Sequence, residues 1–171
     1  PVGDDRLRTG AVCDVENAYF KHGDRQCKPP AVQVHSMNIL FVCTGNICRS
    51  PMAEALFNSL VDPNGHAAAT GISAGVAAME GQPATAQARE AAARRGLDLS
   101  AHRSRAVSGP LVQWADCIVV MTEAHRKLLI EHYPEAANRT HRLLSFAGSA
   151  ADVDDPIGGG TADYVRCLDR M

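Results

Sequence analysis

At 171 residues, 46% of them hydrophobic, the chain is long enough for one well-buried core and too short for two ordinary domains. Its net charge of −2 excludes the dense basic face that nucleic-acid binding by counterion release requires, and Arg94-Arg95 and His102-Arg103-Ser104-Arg105 read as local spots on a solvated surface or substrate rim. No apolar run approaches the ~20 residues of a membrane span and the start lacks the pattern of a secretory signal, so a cytoplasmic protein without a membrane partner is expected.

Residues 1–36 are polar, mixed in charge and interrupted by Pro29-Pro30, with no periodicity beyond a short helix around Ala11 to Phe20. They read as an N-terminal extension of a domain spanning 37–171, and Met37 is a candidate natural start. Asn38-Ile39-Leu40-Phe41-Val42 is a continuous apolar run, as buried parallel strands are. The loop Cys43-Thr44-Gly45-Asn46-Ile47-Cys48-Arg49-Ser50-Pro51 follows. A helix is expected from about Pro51 to Val61, with Ser50 as its capping hydroxyl and proline at its first position. Asp62-Pro63-Asn64-Gly65 makes a turn, and Ala69 to Ala74 is a second strand ended by Gly75. Ala84 to Arg95 is an alanine-rich helix stopped by Gly96. Cys117 to Met121 is another apolar strand, and Thr122-Glu123-Ala124-His125 opens a helix that ends near Tyr133-Pro134. Arg142 to Phe146 supplies a fourth short strand. Thr161 to Met171 is a helix that stops abruptly, its natural end expected further on. Such alternation gives an α/β domain, a doubly wound parallel sheet covered on both faces, with the loop at the carboxyl edge where these sheets bind ligands.

A free cysteine titrates near ~8.5 and needs help to be an anion at neutral pH. Around Cys43 the terms act together: amides from Thr44 to Arg49 able to point inward as a nest, a helix dipole, the Arg49 charge and the Ser50 hydroxyl. The same donors suit a tetrahedral dianion, and Arg49 offers the planar, bidentate contact that lysine cannot. Gly45 and Asn46 tolerate the left-handed backbone that turns successive amides inward. Thr44, Gly45, Asn46, Ile47, Cys48, Arg49 and Ser50 are therefore the expected phosphate cradle, with Cys43 as nucleophile. Two small core cysteines at a strand end would be the bland reading, which the register of Arg49, Ser50 and Pro51 argues against. The six cysteines could form three disulfides, but a chain this rich in core needs no staples. Scattered histidines and the absence of a second cysteine pair leave no metal site, and no cofactor is expected. Nothing in the pattern specifies an oligomer.

Transfer of a phosphoryl group from an ester also needs a proton for the leaving oxygen, which a thiolate loop cannot supply. Asp152-Val153-Asp154-Asp155-Pro156 is the obvious source. Pro156 biases Asp155 towards an extended backbone, and the neighbouring carboxylates are expected to favour its protonated form.

The stretch from Met37 to Met171, with Cys-x5-Arg-Ser-Pro near its start and Asp155-Pro156 near its end, resembles the low-molecular-weight protein tyrosine phosphatase family, in its bacterial type. The resemblance implies a four-stranded parallel sheet and a phosphorylated protein substrate. It implies Cys43 as nucleophile, Arg49 as phosphate clamp, Asn46 and Ser50 as supports of the loop, and Asp155 as general acid and then base. It further implies that His102 braces Asn46 and that Cys48 protects Cys43 through a reversible disulfide. Where eukaryotic-type members carry aromatic residues after the Asp-Pro, this chain has Ile157-Gly158-Gly159, and Val76-Ala77-Ala78-Met79 at the rim has none either. Thr44 is similar to bacterial members, including a subgroup acting on phosphoarginine. That subgroup has threonine where this chain has Ile47, which matches the phosphotyrosine type. Phosphotyrosine is the expected substrate and phosphoarginine the alternative. Thiol-dependent arsenate reductases resemble the scaffold as well, but relay through two further cysteines, where this chain offers Cys117 inside a strand and then Met121 and Ala124.

Overall fold

The computed structural model describes residues 36–61 and 69–171; the expected helix around Ala11 to Phe20 and the turn at Asp62-Pro63-Asn64-Gly65 lie outside them. The strands are β1 (Met37–Cys43), β2 (Ala69–Gly75), β3 (Cys117–Val120) and β4 (Thr140–Arg142). They pair in the order β2-β1-β3-β4, all in parallel. Helices α1 (Arg49–Val61), α2 (Ala86–Ala93), α3 (Gly109–Trp114), α4 (Glu123–His132) and α5 (Thr161–Asp169) surround the sheet.

Alternation along the central strands sorts the core into two layers. Ile39, Phe41 and Cys43 share one face with Val119 and Met121, packed against Met52 of α1, Ala88 of α2, and Tyr164 and Leu168 of α5. Leu40 and Val42 share the other with Ile118 and Val120, under Val112 of α3 and Leu129 of α4. A strand buried on both faces has no polar side to show, which is why β1 and β3 read as unbroken apolar runs. Leu40, Val42, Ile118 and Val120 are each 0% exposed, and complete burial of such side chains stabilises by about 1.5–3 kcal/mol apiece. Cys43 ends the central strand on the α1 side. There the sheet order places β2 on one flank of β1 and β3 on the other, the crevice in which doubly wound sheets hold ligands.

Several boundaries differ from the expected ones for local reasons. α1 starts at Arg49, so Ser50 lies within its first turn and its hydroxyl is turned to the loop rather than capping the helix. Thr85 caps α2 instead, accepting from the Ala88 amide at 3.2 Å, and Gly96 stops the chain beyond it at φ 72°. The fourth strand lies earlier than expected, pairing Ile118 with Thr140, Val119 with His141 and Val120 with Arg142. Buried Thr140 donates its hydroxyl to the Ala136 carbonyl at 2.7 Å, which holds the backbone at the sheet edge. Leu143–Ala147 then coils into a 3-10 turn, with Leu144 inward, Phe146 outward and left-handed Gly148 closing it. No helix among the described residues is long and apolar enough to cross a membrane.

Candidate active site

The nucleophile loop is pinned from outside by its carbonyls. Those of Cys43 and Thr44 accept from the amides of Val76 and Ala77, each at 2.9 Å, and that of Ile47 accepts from Thr85 at 2.9 Å. The Asn46 carbonyl accepts from His102 Nε2 at 2.7 Å, so His102 braces the loop through the backbone of Asn46. With the carbonyls committed outward, the amides of Thr44, Gly45, Asn46, Ile47 and Cys48 donate to no group among the described residues. Converging free amides beside a helix start make an anion nest. Asn46 provides the sharp bend, at φ 55°.

The Asn46 side chain is wholly buried, and both its polar atoms are engaged in holding the loop. Its Nδ2 donates to Ser50 Oγ at 2.9 Å and Ser73 Oγ at 2.8 Å, and its Oδ1 accepts from the Arg105 amide at 2.9 Å. Ser73 in turn donates to Glu54 at 2.5 Å. Ser50 Oγ lies 3.0 Å from Cys43 Sγ and 3.3 Å from the Ala74 carbonyl. Its single proton can go to either, and a thiolate takes it.

Arg49 is 4% exposed; its Nη1 donates to the Val153 carbonyl at 3.2 Å and its Nη2 to Asp155 at 2.5 Å. Its Nε is buried without a partner among the described residues, a donor left for a ligand. Asp155 and Arg49 line a cavity of about 220 Å³ together with Cys43, Thr44, Gly45, Ile47, Cys48 and Ile157. The two carboxylates expected to crowd Asp155 have cationic partners of their own. Asp152 is turned to Arg142 and the Glu123 amide, and Asp154 to Arg170.

Cys43, Cys48, Cys117 and Cys167 are all free thiols. Burial pushes the Cys48 thiol up, against the opposing contact with Tyr164 at 3.4 Å, so Cys48 is a neutral thiol at the cavity wall. Burial likewise pushes Cys167 up to about 12. No cluster of potential metal ligands occurs among the described residues.

Other residues at the site were not singled out from the sequence. Ser73 and Glu54 complete the Asn46 network, and His125 reaches Thr44. Gly75, read only as a strand end, lies against the loop itself: a Cβ there would meet the Thr44 carbonyl oxygen at 2.4 Å and the Asn46 nitrogen at 2.9 Å. A serine or glycine in a strand is an ordinary residue, and only the three-dimensional neighbourhood distinguishes these.

A thiol at the end of a central parallel strand, beside unpaired amides, an arginine and a carboxylate, is an arrangement able to hold a phosphate-like oxyanion. The family described as low molecular weight phosphotyrosine protein phosphatase matches residues 38–171, and the chain belongs to it. Over 134 residues the chain is 38% identical to a protein-arginine-phosphatase of Geobacillus stearothermophilus, covering 78% of this chain and 87% of that protein. It is 40% identical over 118 residues to a probable low molecular weight protein-tyrosine-phosphatase, EpsP, of Ralstonia solanacearum, covering 69% and 77%. The solved low molecular weight protein tyrosine phosphatase from T. tengcongensis superposes with a TM-score of 0.75 at 38% identity, over 78% of this chain and 91% of that one.

Proposed function

We propose that residues 37–171 form a protein phosphatase domain that hydrolyses phosphotyrosine through a phosphocysteine on Cys43. The observation that carries this reading is the set of unpaired donors, the amides of Thr44, Gly45, Ile47 and Cys48 and Arg49 Nε, on residues that line the cavity Cys43 and Asp155 share. Cys43 Sγ attacks phosphorus in line while the amides and Arg49 hold the equatorial oxygens, whose charge they stabilise as it redistributes. The P–O bond to the tyrosyl oxygen breaks, and Asp155 gives that oxygen its proton. In the second step Asp155 takes a proton from water, the water oxygen displaces sulfur, and phosphate leaves with Cys43 restored as thiolate. Neither step as written calls for a metal or cofactor. Ser50 and Asn46 support the thiolate and the loop, and His102 supports Asn46. Cys48 lines the same cavity as Cys43, which supports a reversible disulfide between them. A reducing, cytoplasmic setting suits free thiols in this arrangement.

The walls favour an aromatic leaving group. Ile47 and Ile157 present aliphatic surface to the cavity, which suits a flat ring and offers nothing to the N–H groups of a guanidinium. The identity to a protein-arginine-phosphatase favours phosphoarginine as the second reading. Arsenate reduction has less support, because Met121 and Ala124 stand where the relay would want thiols. Hydrolysis of matched phosphotyrosine and phosphoarginine peptides tests the choice. The phosphotyrosine peptide should be preferred, Cys43→Ser should be inactive yet folded, and Ile47→Thr should shift the ratio towards phosphoarginine. Full activity in Cys43→Ser would sink the mechanism, and a phosphoarginine preference in the unaltered protein would install the second reading.

A further inference from the structure

The turn between β3 and α4 is joined to both halves of the site. The Met121 carbonyl accepts from the Val153 amide at 2.8 Å, and the Glu123 amide donates to Asp152 Oδ1 at 3.0 Å. The chain that carries Asp155 is therefore hung on this turn. From the same turn His125 reaches the nucleophile loop, with Nε2 2.8 Å from Thr44 Oγ1. Its Nδ1 lies 3.0 Å from Thr122 Oγ1, and its backbone amide donates to that same oxygen at 3.2 Å. His125 is 5% exposed, and no step of the proposed reaction uses it.

We propose that His125 is a positioning residue: the Thr122–His125–Thr44 chain fixes the nucleophile loop to the turn that also holds the acid loop, and thereby sets the placement of Cys43 relative to Asp155. Thr44 directly follows the nucleophile and its own surface is exposed. Untied, its side chain would choose among rotamers and its peptide units could rock, moving the free amides of Thr44 and Gly45. Tied to a buried ring, it has one place to be.

The ring suits this task as a neutral group. Burial, with the Arg49 guanidinium adding to it against the opposing pull of Asp155 and Asp152, lowers its titration to about 4. A neutral imidazole has one donor and one acceptor, and a hydroxyl on each nitrogen satisfies either tautomer. It also adds no second cation beside Arg49 to compete for the substrate's charge. A histidine that merely filled the core or braced the start of α4 would need Thr122 and not Thr44.

This inference rests on the phosphatase reading, and its test separates the two. Asparagine places its amide near the Nδ1 position, keeping the Thr122 side and losing Thr44; glutamine reaches the Nε2 position and keeps Thr44. His125→Asn and Thr44→Val should each lower kcat/KM by ~10-fold, mostly in kcat and more for aryl phosphates with poor leaving groups, as expected for a sub-ångström misplacement. His125→Gln should recover to within ~3-fold, and the double variant His125→Asn/Thr44→Val should be no worse than the poorer single one, because both cut one chain. Melting curves confirm that each variant is folded. Multiplicative losses in the double variant, or activity in folded His125→Asn within ~2-fold of the parent, would overturn the role of His125. If the unaltered protein hydrolyses no phosphoester, the phosphatase reading fails but this test continues with inorganic phosphate, read as protection of Cys43 from iodoacetamide by mass spectrometry. Protection should then need more phosphate in His125→Asn than in His125→Gln, and equal protection would overturn the proposal.

Discussion

Gly75→Ala should damage catalysis as well as stability, because the added methyl would press on the backbone of the nucleophile loop. The new Cβ would lie 2.4 Å from the Thr44 carbonyl oxygen, 2.9 Å from the Asn46 nitrogen and 2.9 Å from the Ala78 Cβ, where real Cβ contacts essentially never fall under 3.0 Å. Two of those three atoms are main chain, so no side-chain rotation relieves the contact. Either the loop or the end of β2 must shift by a sizeable part of an ångström. The loop cannot shift freely, since the Val76 and Ala77 amides that pin its carbonyls at 2.9 Å follow directly after residue 75. Overpacking of this kind costs about 1–3 kcal/mol, while misplacing a reacting group by ~1 Å costs up to ~100-fold in rate. The expectation is a drop in kcat/KM for p-nitrophenyl phosphate of ~100-fold, with a folded protein by circular dichroism and a modest loss in Tm. Gly109→Ala is the matched control, since a Cβ there meets nothing within 4 Å and should leave kcat/KM unchanged. A Gly75→Ala protein that retained kcat/KM within ~3-fold of the parent would refute the view that close approach at this glycine shapes the loop.

Asp155→Ala should slow the hydrolysis of aryl phosphates with poor leaving groups much more than of those with good ones, because only the former need a proton in the first step; equal losses across a leaving-group series would remove Asp155 from the acid role. The pH dependence of stability should carry the mark of His125, whose titration is lowered from 6.5 to about 4 by burial and then Arg49. Since the unfolded chain binds this proton first, the contribution is full above pH ~6.5 and is lost as pH falls towards ~4, on the order of 2 kcal/mol between pH 7 and 5. Denaturant titrations of the parent and His125→Gln at those two pH values should differ by that amount, and parallel losses in both would show that the ring does not stay neutral in the fold.

The parts of the molecule legible in the sequence were those whose signal is contiguous. β1 and β3 are apolar on both faces, so their burial shows as a run of neighbours, and the loop from Cys43 to Ser50 keeps the candidate nucleophile, clamp and cradle within one short stretch of chain. Asp155, which lines the cavity with Cys43, was singled out only because Pro156 marks its backbone and a thiolate loop calls for an acid. The Asn46 network was half visible, its strand-side partner Ser73 lying 27 residues away and looking like any strand serine. His125 lies 81 residues from Thr44 in sequence and opens a helix whose apolar pattern gave no reason to single it out. β4 was displaced because a three-residue edge strand has no periodicity of its own, and the apolar residues just after it mimic one.

The Arg49–Asp155 contact joins the clamp of the proposed mechanism to its acid. Neighbouring aspartates were expected to press a proton onto Asp155, yet Asp152 and Asp154 are occupied by Arg142 and Arg170, and Asp155 itself sits on the clamp. A bound phosphate has Arg49 Nε, unpartnered among the described residues, as a free donor, and at Nη2 it would meet Asp155 as a competing acceptor. The phosphate would then share one guanidinium with that carboxylate. The contact thus ties the clamp to the acid, so that a phosphate bound through Arg49 is held beside Asp155.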